Sequence, residues 1–424
     1  MEPAGRGAAD GKMKPFNPQA ARDLILAAAR PVVFLGMTDD WPVTRWTLPR
    51  LCHVLQEQTL RFRIGKRKVD TEPQFEPQCD YIDGTIRQFQ DWVSGSTHEA
   101  SGPFFRYDPA ESWAYADYKY LALLFKDQPE MLQEVSWEDF GFPGRDGRDS
   151  TLWIGSRGAN TPCHIDSYGC NLVLQVQGRK RWHLFPPEDT AYLYPTRIPY
   201  EESSIFSKVN VVNPDWQRYP GFSRACPHVV TLHPGQVLLV PPRWWHYVES
   251  VDDVTVSVNS WLELDSDHEA RVEEAVVRTV VCAFKSAEGA GSSGDWLNPT
   301  EDEATTYHTN LQYINMAVTA ATAHKMAEKV TAGNVRDQDQ PLTRRKELNQ
   351  EVEEDSGTGT ALTTYLVPVL PSVTNEESEH KEMQPATPRE ETAITSNELL
   401  DCLLHPEVIT KVAQLLLSRR IGKS

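Results

Sequence analysis

A chain of 424 residues, 40% hydrophobic and 24% charged, carries enough apolar material for a full-sized core and reads as one large domain with a tail. Its 42 Lys and Arg against 60 Asp and Glu give a formal net charge of −18, which repels phosphate backbones and makes nucleic acid a poor partner. Seven scattered cysteines without a CxxC pair read as reduced intracellular thiols; with no apolar leader and no run of 18 apolar residues, a cytoplasmic protein, also admissible in the nucleus, is expected and a membrane partner is not.

Residues 1 to 13, rich in Gly and Ala, are expected to be disordered. From position 17, NPQAARDLILAAARP has helical apolar spacing and stops before Pro31, and VVFLGM then reads as a buried strand. LPRLCHVLQEQ predicts a second helix, LRFRIG alternates as a strand, and GTIRQFQDWV opens a third helix after the Asp83-Gly84 turn. SGPFFRYDPAE is a strand candidate ended by Pro109, and DYKYLALLFKD is read as helical. The aromatic residues between Phe104 and Phe142 are read as core and lid packing.

Between 151 and 262 the pattern changes to short apolar runs (TLWIGS, CNLVLQV, RWHLF, HVVTL, QVLLVP, VTVSVNSWL) separated by Gly, Pro and Asp turns, the spacing of a β-sandwich or a double-stranded jelly roll. The insertion YPTRIPYEESSIFSKVNVVNPDWQRYPGF interrupts these strands with few regular-structure signals, and loops of that length are often functional. DHEARVEEAVVRTVVCAFK predicts an amphipathic helix that either closes the domain or offers a homodimer face. After the linker GAGSSGDW comes a further helix, YHTNLQYINMAVTAATAHKMAEK. The polar, acidic stretch 333 to 393 is expected to be disordered, and SNELLDCLLHPEVITKVAQLLLSRR to form a helical pair split at Pro406 and capped by Ser396 or Asn397. The fold class expected is α+β dominated by β: a jelly-roll core over 151 to 262 inside a domain spanning 14 to 285, a linker and helix over 286 to 332, the disordered segment, and the helical pair over 394 to 424.

The chemistry concentrates in TPCHIDSYGCNLVLQVQGRKRW. In an extended segment His164 and Asp166 share a face, because strand side chains alternate. His246 in PPRWWHYVES offers a third ligand. Two imidazoles and one carboxylate leave coordination positions open and suit non-haem Fe(II), although zinc takes the same ligands. A lone HxD pair is common on protein surfaces, so its context carries the argument. Trp244 and Trp245 are read as packing, with one able to help keep water out.

The order HxD, apolar strand, GRKRW, the PGQVLLVP strand, a third His in WWH, then the VSVNSW strand resembles the JmjC family of Fe(II)- and 2-oxoglutarate-dependent oxygenases, over roughly residues 14 to 265. It looks closest to the small hydroxylases of the asparaginyl-hydroxylase type; many large chromatin demethylases have HxE where this chain has Asp166. The resemblance implies a dioxygenase of the hydroxylase type using Fe(II), 2-oxoglutarate and O2, with His164, Asp166 and His246 on the metal. It places Lys180 and Thr161 against the distal carboxylate of the co-substrate, and Asn171 and Asn259 near the 1-carboxylate and metal. A buried carboxylate needs such pairing. Lys180 also lies in the basic run Arg179, Lys180, Arg181, which reads equally as a solvated hairpin, but alternation puts Lys180 and Trp182 on one face and both arginines on the other.

Two features depart from the family pattern. The tyrosine that such hydroxylases set against the distal carboxylate is assigned to the FFRYD stretch, at Tyr107 or, in the other register, Phe105. One residue more than usual separates Asp166 from Asn171, which a turn or bulge must absorb. A protein side chain is the substrate implied, a modified tRNA base being more remote given the acidic charge. DYKYLALLF, DFGFPGR, LFPPEDTAYLYPTRIPYEES and the helical pair also resemble one family member associated with a small heat-shock protein. That implies such a partner, a stress-response setting, and the alternative of a non-catalytic JmjC scaffold.

Overall fold

The computed structural model describes residues 13–68, 70–96, 100–287, 296–299, 301, 304–334, 362–372 and 394–421. In chain order its strands are β1 (Val32–Phe34), β2 (Thr59–Lys66), β3 (Asp80–Thr85), β4 (Ser112–Tyr120), β5 (Thr151–Ser156), β6 (Asn160–Asp166), β7 (Cys170–Gln177), β8 (Lys180–Phe185), β9 (Pro195–Thr196), β10 (Ser204–Ser207), β11 (His228–Leu232), β12 (Val237–Val240), β13 (Trp245–Ser250), β14 (Val254–Leu262) and β15 (Leu366–Pro368). They make a nine-stranded sheet ordered β15-β1-β12-β7-β14-β5-β4-β2-β3 and a six-stranded sheet ordered β11-β8-β13-β6-β10-β9. The two sheets face each other as the jelly-roll core that the turn spacing predicts.

Alternation in QVLLVP shows how the larger sheet is buried on both sides. Val237 and Leu239 join the cluster beneath the N-terminal helices, whereas Leu238 and Val240 turn to the smaller sheet and meet Trp182, Leu184 and Val248. The N-terminal layer holds α1 (Pro18–Ala27), α2 (Leu48–Leu55) and α3 (Ile86–Val93), each buried along one stripe against that first cluster. In α3 the Thr85 hydroxyl accepts from the Gln88 N–H while the Gln88 side chain accepts from the Thr85 N–H, a reciprocal cap that fixes where the helix begins.

Three expectations change. FFRYD is not a strand: residues Gly102–Arg106 form a 3-10 turn, and the strand starts at Ser112, so DYKY finishes β4 and only α4 (Leu121–Leu124) is helical. Cross-strand packing overrides local helical spacing there, because Trp113 and Tyr115 pair into the sheet through β2. The insertion after Tyr194 is less irregular than its composition implies, since β10 pairs with β6 beside the HxD segment.

The third change concerns 333 to 393. Most of this segment lies outside the described residues, as do residues 1 to 12, but α7 (Leu362–Tyr365) and β15 are ordered within it, following α5 (Asp267–Ala287) and α6 (Tyr307–Asn334) in the chain. β15 adds to β1, the Val369 N–H donates to Pro31, and the Ser372 N–H donates to Pro227 beside β11. The segment therefore straps the edges of both sheets. The helical pair is α8 (Ser396–Leu403), whose cap is Thr395 rather than Ser396 or Asn397, and α9 (Pro406–Ile421). These helices and α6 cover the apolar stripe of α5, Val272 meeting Val318 and Leu417 while Val277 and Val281 meet Leu400 and Leu404. The face read as a homodimer surface is thus occupied by the chain's own helices.

Val369 is 4% exposed and inserts among Val33, Trp182, Leu184 and Trp244. Val369→Asp puts an unpaired carboxyl into that cluster and is expected to cost about 2–4 kcal/mol, a fall in melting temperature on the order of 5 °C by calorimetry. Leu370→Asp, one residue on and exposed, should leave the melting temperature nearly unchanged.

Candidate metal centre

β6 and β13 are antiparallel neighbours, and His246 lies directly opposite His164 in their register, with the ring centroids 4.2 Å apart. Asp166, two residues beyond His164, shares that face. One ligand atom from each of the three lies within 4.8 Å of the others. The Nε2 atoms of His164 and His246 stand 3.6 and 3.8 Å from the two oxygens of Asp166.

Backbone carbonyls set the tautomers. Pro162 O is 2.9 Å from His164 Nδ1, and Trp244 O is 3.0 Å from His246 Nδ1. A carbonyl only accepts, so each Nδ1 carries the proton and each Nε2 turns its lone pair toward the gap. Burial opposes the ionised form of Asp166, yet the two imidazoles and the Trp261 indole, which donates to Oδ2 at 3.0 Å, hold its carboxyl down at about 2. Burial lowers His164 as well, but Asp166 outweighs it and the ring shifts up; burial and the His164 charge together push His246 down to about 4. One carboxylate stabilises one imidazolium here, not two.

Register shifts widen the set of residues reaching this gap. Pairing along β13 moves by one between His246 and Val248, which inserts an extra β6 residue and brings Thr161, three positions before His164, onto the same cavity. Between Ala116 and Lys119 the β4 register to β5 shifts in the same way, and Tyr115 and Tyr118 both line the cavity. The extra residue between Asp166 and Asn171 is taken up by the β6–β7 turn. Gly169 has φ +60, and a Cβ there would stand 2.1 Å from Leu262 O, so this position requires glycine. Its N–H donates to Asp267 Oδ1 at 2.8 Å, tying the turn to the start of α5.

The cavity extends from the triad past Thr161, Asn171 and Asn259 to Lys180. Lys180 is 2% exposed while Arg181 is exposed, as strand alternation requires. Its Nζ donates to Ser257 Oγ at 2.8 Å and Tyr115 Oη at 3.1 Å, and no carboxylate lies within ion-pair distance among the described residues. Burial pulls its pKa down to about 7, against the pull of Asp117. A buried ammonium with only neutral partners leaves an anion-sized gap in the local electrostatics. Asn259 accepts from the Trp153 indole at 2.7 Å and donates to Asn171 at 2.9 Å, which orients both amides on the metal side.

Tyr107 is not in this cavity. Its hydroxyl donates to Asp80 at 3.2 Å, and Phe105 is exposed, because the 3-10 turn carries both away from the sheet. Tyr115 occupies the position beside Lys180, and Thr161 lines the same cavity. The alternation Trp113, Tyr115, Asp117 was the available signal for it. Ser257, Trp153, Tyr118 and Trp261 also line the cavity and were not singled out in sequence; Trp261 closes the VSVNSW strand already tied to the site.

A family model described as a cupin-like domain matches residues 18–268. The chain belongs to this cupin-like, JmjC family. It is similar to HSPB1-associated protein 1 of Bos taurus, 46% identical over an alignment of 469 residues covering 98% of this chain and 97% of that one. It is 59% identical over 305 residues to the HSPB1-associated protein 1 homolog of Danio rerio, covering 72% of this chain and 68% of the relative. Lysine-specific demethylase 8 of Danio rerio is more distant, 30% identical over 251 residues, covering 57% of this chain and 55% of that one. The cupin-like match ends two residues into α5, so nearly all of that helix, the strap and the C-terminal pair lie beyond the family core.

Trp261→Phe removes the indole N–H from Asp166 while keeping the packing, and is expected to weaken Mn(II) binding about 10–100-fold by calorimetry. Because a bound ion must displace the proton that Asp166 favours on His164, Mn(II) affinity should be higher at about pH 8 than at about pH 6, falling as pH drops through the raised His164 pKa. An affinity flat across that range would contradict the ligand assignment.

Proposed function

We propose that the chain is an Fe(II)- and 2-oxoglutarate-dependent oxygenase that hydroxylates a protein side chain. The observation that carries this reading is the shared cavity: the His164, Asp166 and His246 ligand set at one end, and Lys180, a buried cation without a counter-ion, at the other. The ligand set fits a divalent ion, since both Nε2 lone pairs and the ionised carboxylate converge from one side. The far end fits a dicarboxylate: Lys180 supplies the charge, and the Tyr115 and Thr161 hydroxyls supply neutral hydrogen bonds.

When bound, Fe(II) and 2-oxoglutarate would supply the electrons that activate O2, 2-oxoglutarate being oxidised to succinate and CO2. The chain's own residues would do four things. His164, Asp166 and His246 would hold the metal by one face and leave the opposite face open. Lys180 would anchor the distal carboxylate, while Asn171 and Asn259 would orient the end nearer the metal. Trp153, Trp182 and Val173 would keep water from the co-substrate, which protects a reactive centre from side reactions.

The names of the full-length relatives support a second, compatible reading, in which the chain binds a small heat-shock protein. His164→Ala separates the two. It should abolish metal-dependent turnover and leave capture of the small heat-shock protein unchanged; loss of both would make that protein depend on the metal site itself.

Under anaerobic conditions, Fe(II) with 2-oxoglutarate is expected to give a visible charge-transfer band in the wild type and none in His164→Ala. Absence of the band, with no 2-oxoglutarate binding by calorimetry, rejects the oxygenase reading. Lys180→Ala should retain Mn(II) and lose 2-oxoglutarate affinity by about thirtyfold or more, as expected when a buried ion pair loses one partner.

A further inference from the structure

The strap lies on the body as a bound peptide would. β15 pairs antiparallel with β1, Val367 opposite Val33, and backbone bonds continue on either side: the Leu35 N–H donates to Tyr365 O at 2.9 Å, the Val369 N–H to Pro31 O at 2.9 Å, and the Ser372 N–H to Pro227 O at 2.8 Å. Two side chains anchor it. Leu366 packs on the cluster beneath the N-terminal helices, and Val369 fills a socket made by Val33, Trp182, Leu184 and Trp244 between the sheets. Tyr365, Val367 and Leu370 are exposed. Main-chain bonds along a sheet edge, with pockets for a few side chains, are the geometry by which an extended peptide adds to a sheet.

The fastening is slight. Burial of one valine and part of one leucine is a small gain against the entropy of ordering the whole segment. The strap is also built to end the sheet. Pairing with Pro31, Val33 and Leu35 turns the backbone groups of Val369, Val367 and Tyr365 inward, so those of Leu366, Pro368 and Leu370 face away from β1. At Pro368 no N–H is available to a further strand. β1 beneath it has no such guard, since Val32, Val33 and Phe34 are all buried and none is proline or charged. Without the strap, β1 is an open apolar edge that takes up another strand.

Charge favours a competitor over the strap. Arg30 precedes Pro31 in the chain, and Arg224 closes the 3-10 turn (Pro220–Arg224) that leads to Pro227; both are exposed, next to the two carbonyls that accept from the strap. From Leu362 to Ser372 the strap has no charged residue and offers these arginines no carboxylate. The socket also touches the site already described, because Trp182 lines the co-substrate cavity with its ring 6.0 Å from that of His246. Occupancy of the groove therefore bears on one wall of that cavity.

We propose that the β1 edge and its valine socket form a docking groove for an extended segment of a partner protein, aliphatic at two positions three apart and flanked by carboxylates, and that residues 362–372 are its displaceable occupant. The docking does not rest on the oxygenase reading.

The test uses the full chain and dye-labelled peptides followed by fluorescence anisotropy: TYLVPVLPS, which repeats residues 364–372, the same core flanked by glutamates, and the same core flanked by lysines. The glutamate-flanked probe is expected to bind the wild type at least about tenfold more tightly than the lysine-flanked one. In Val369→Asp the tethered competitor is weakened, and every probe should gain about tenfold or more, because a tethered strand competes at an effective concentration on the order of millimolar. Adding Val33→Asp, which puts a charge into the socket, should remove binding. Should either variant not fold, hydrogen exchange of the wild type decides. Saturating glutamate-flanked probe is expected to strip protection from the Val369 and Ser372 amides while the Leu35 amide stays protected, since the probe backbone replaces Tyr365 as its acceptor. Probe binding that leaves the strap amides protected, no binding to folded Val369→Asp, or equal affinity for acidic and basic flanks overturns the proposal. Trading of straps between differently labelled copies, with no probe binding, would assign the groove to a second copy of this chain and overturn it as well.

Discussion

The register between β6 and β13 is the constraint on which the centre depends. With His246 opposite His164, both imidazoles emerge on the inner face of the smaller sheet and Asp166 follows two residues later. A slip of one residue would turn His246 outward and bring Trp245 in, since side chains alternate with a period of two. Packing forbids that slip. Trp245 is fully buried on the outer side with Cys163, Ile165 and Phe185, and its indole donates to Thr190. The WWH cluster is thus a register lock: one tryptophan packs on each side of the sheet, and His246, the next residue along β13, is held inward.

Regular alternation would also make the pocket too small. A strand offers every second residue to a cavity, yet Thr161 and His164, and likewise Tyr115 and Tyr118, are three apart and face the same space. Each pair spans a register shift, in β6 and in β4. The bulges place hydroxyl groups beside Lys180 while keeping the metal ligands in line, and at β4 the cost is a tyrosine in the left-handed region. The resulting pocket has at its inner end the Lys180 amine, buried without a carboxylate partner among the described residues. Buried charges without partners destabilise a fold, so such an arrangement persists where bound molecules supply the missing charges.

Much of this was legible in the sequence. The shared face of the HxD pair and the separation of Lys180 from Arg179 and Arg181 follow from period-two alternation, the strands from their turn spacing, and the parts played by His246 and Lys180 from the family resemblance. What failed had a tertiary cause. DYKYLALLF has helical spacing, and only pairing with β2 and β5 makes its first half a strand, so local pattern points to Tyr107 in place of Tyr115. Glu201 and Glu202 belong to a polar insertion whose composition says loop, yet β10 joins β6 and fixes the chain beside the triad. The strap at 362–372 was hidden by its acidic, low-hydrophobicity surroundings, which dominate any window average.

The parts beyond the family core explain how the insertion beside the triad stays ordered. A polar insertion cannot be held by its own packing, so it must be fastened from behind. Arg197, at the base of the insertion, pairs with Glu274 of α5 at 2.5 Å, both fully buried, and Tyr200 donates to the same carboxylate. Thr196 donates to Asp401 of α8, and Asp267 at the start of α5 holds the turn after Asp166. The N-terminal end of α5 therefore braces both the metal-ligand turn and the insertion, while α6, α8 and α9 bury the stripe that α5 would otherwise expose. In this chain the C-terminal helices are the rear support of the site. Any partner drawn to their outer surface would be in mechanical contact, through α5, with the residues that frame the metal.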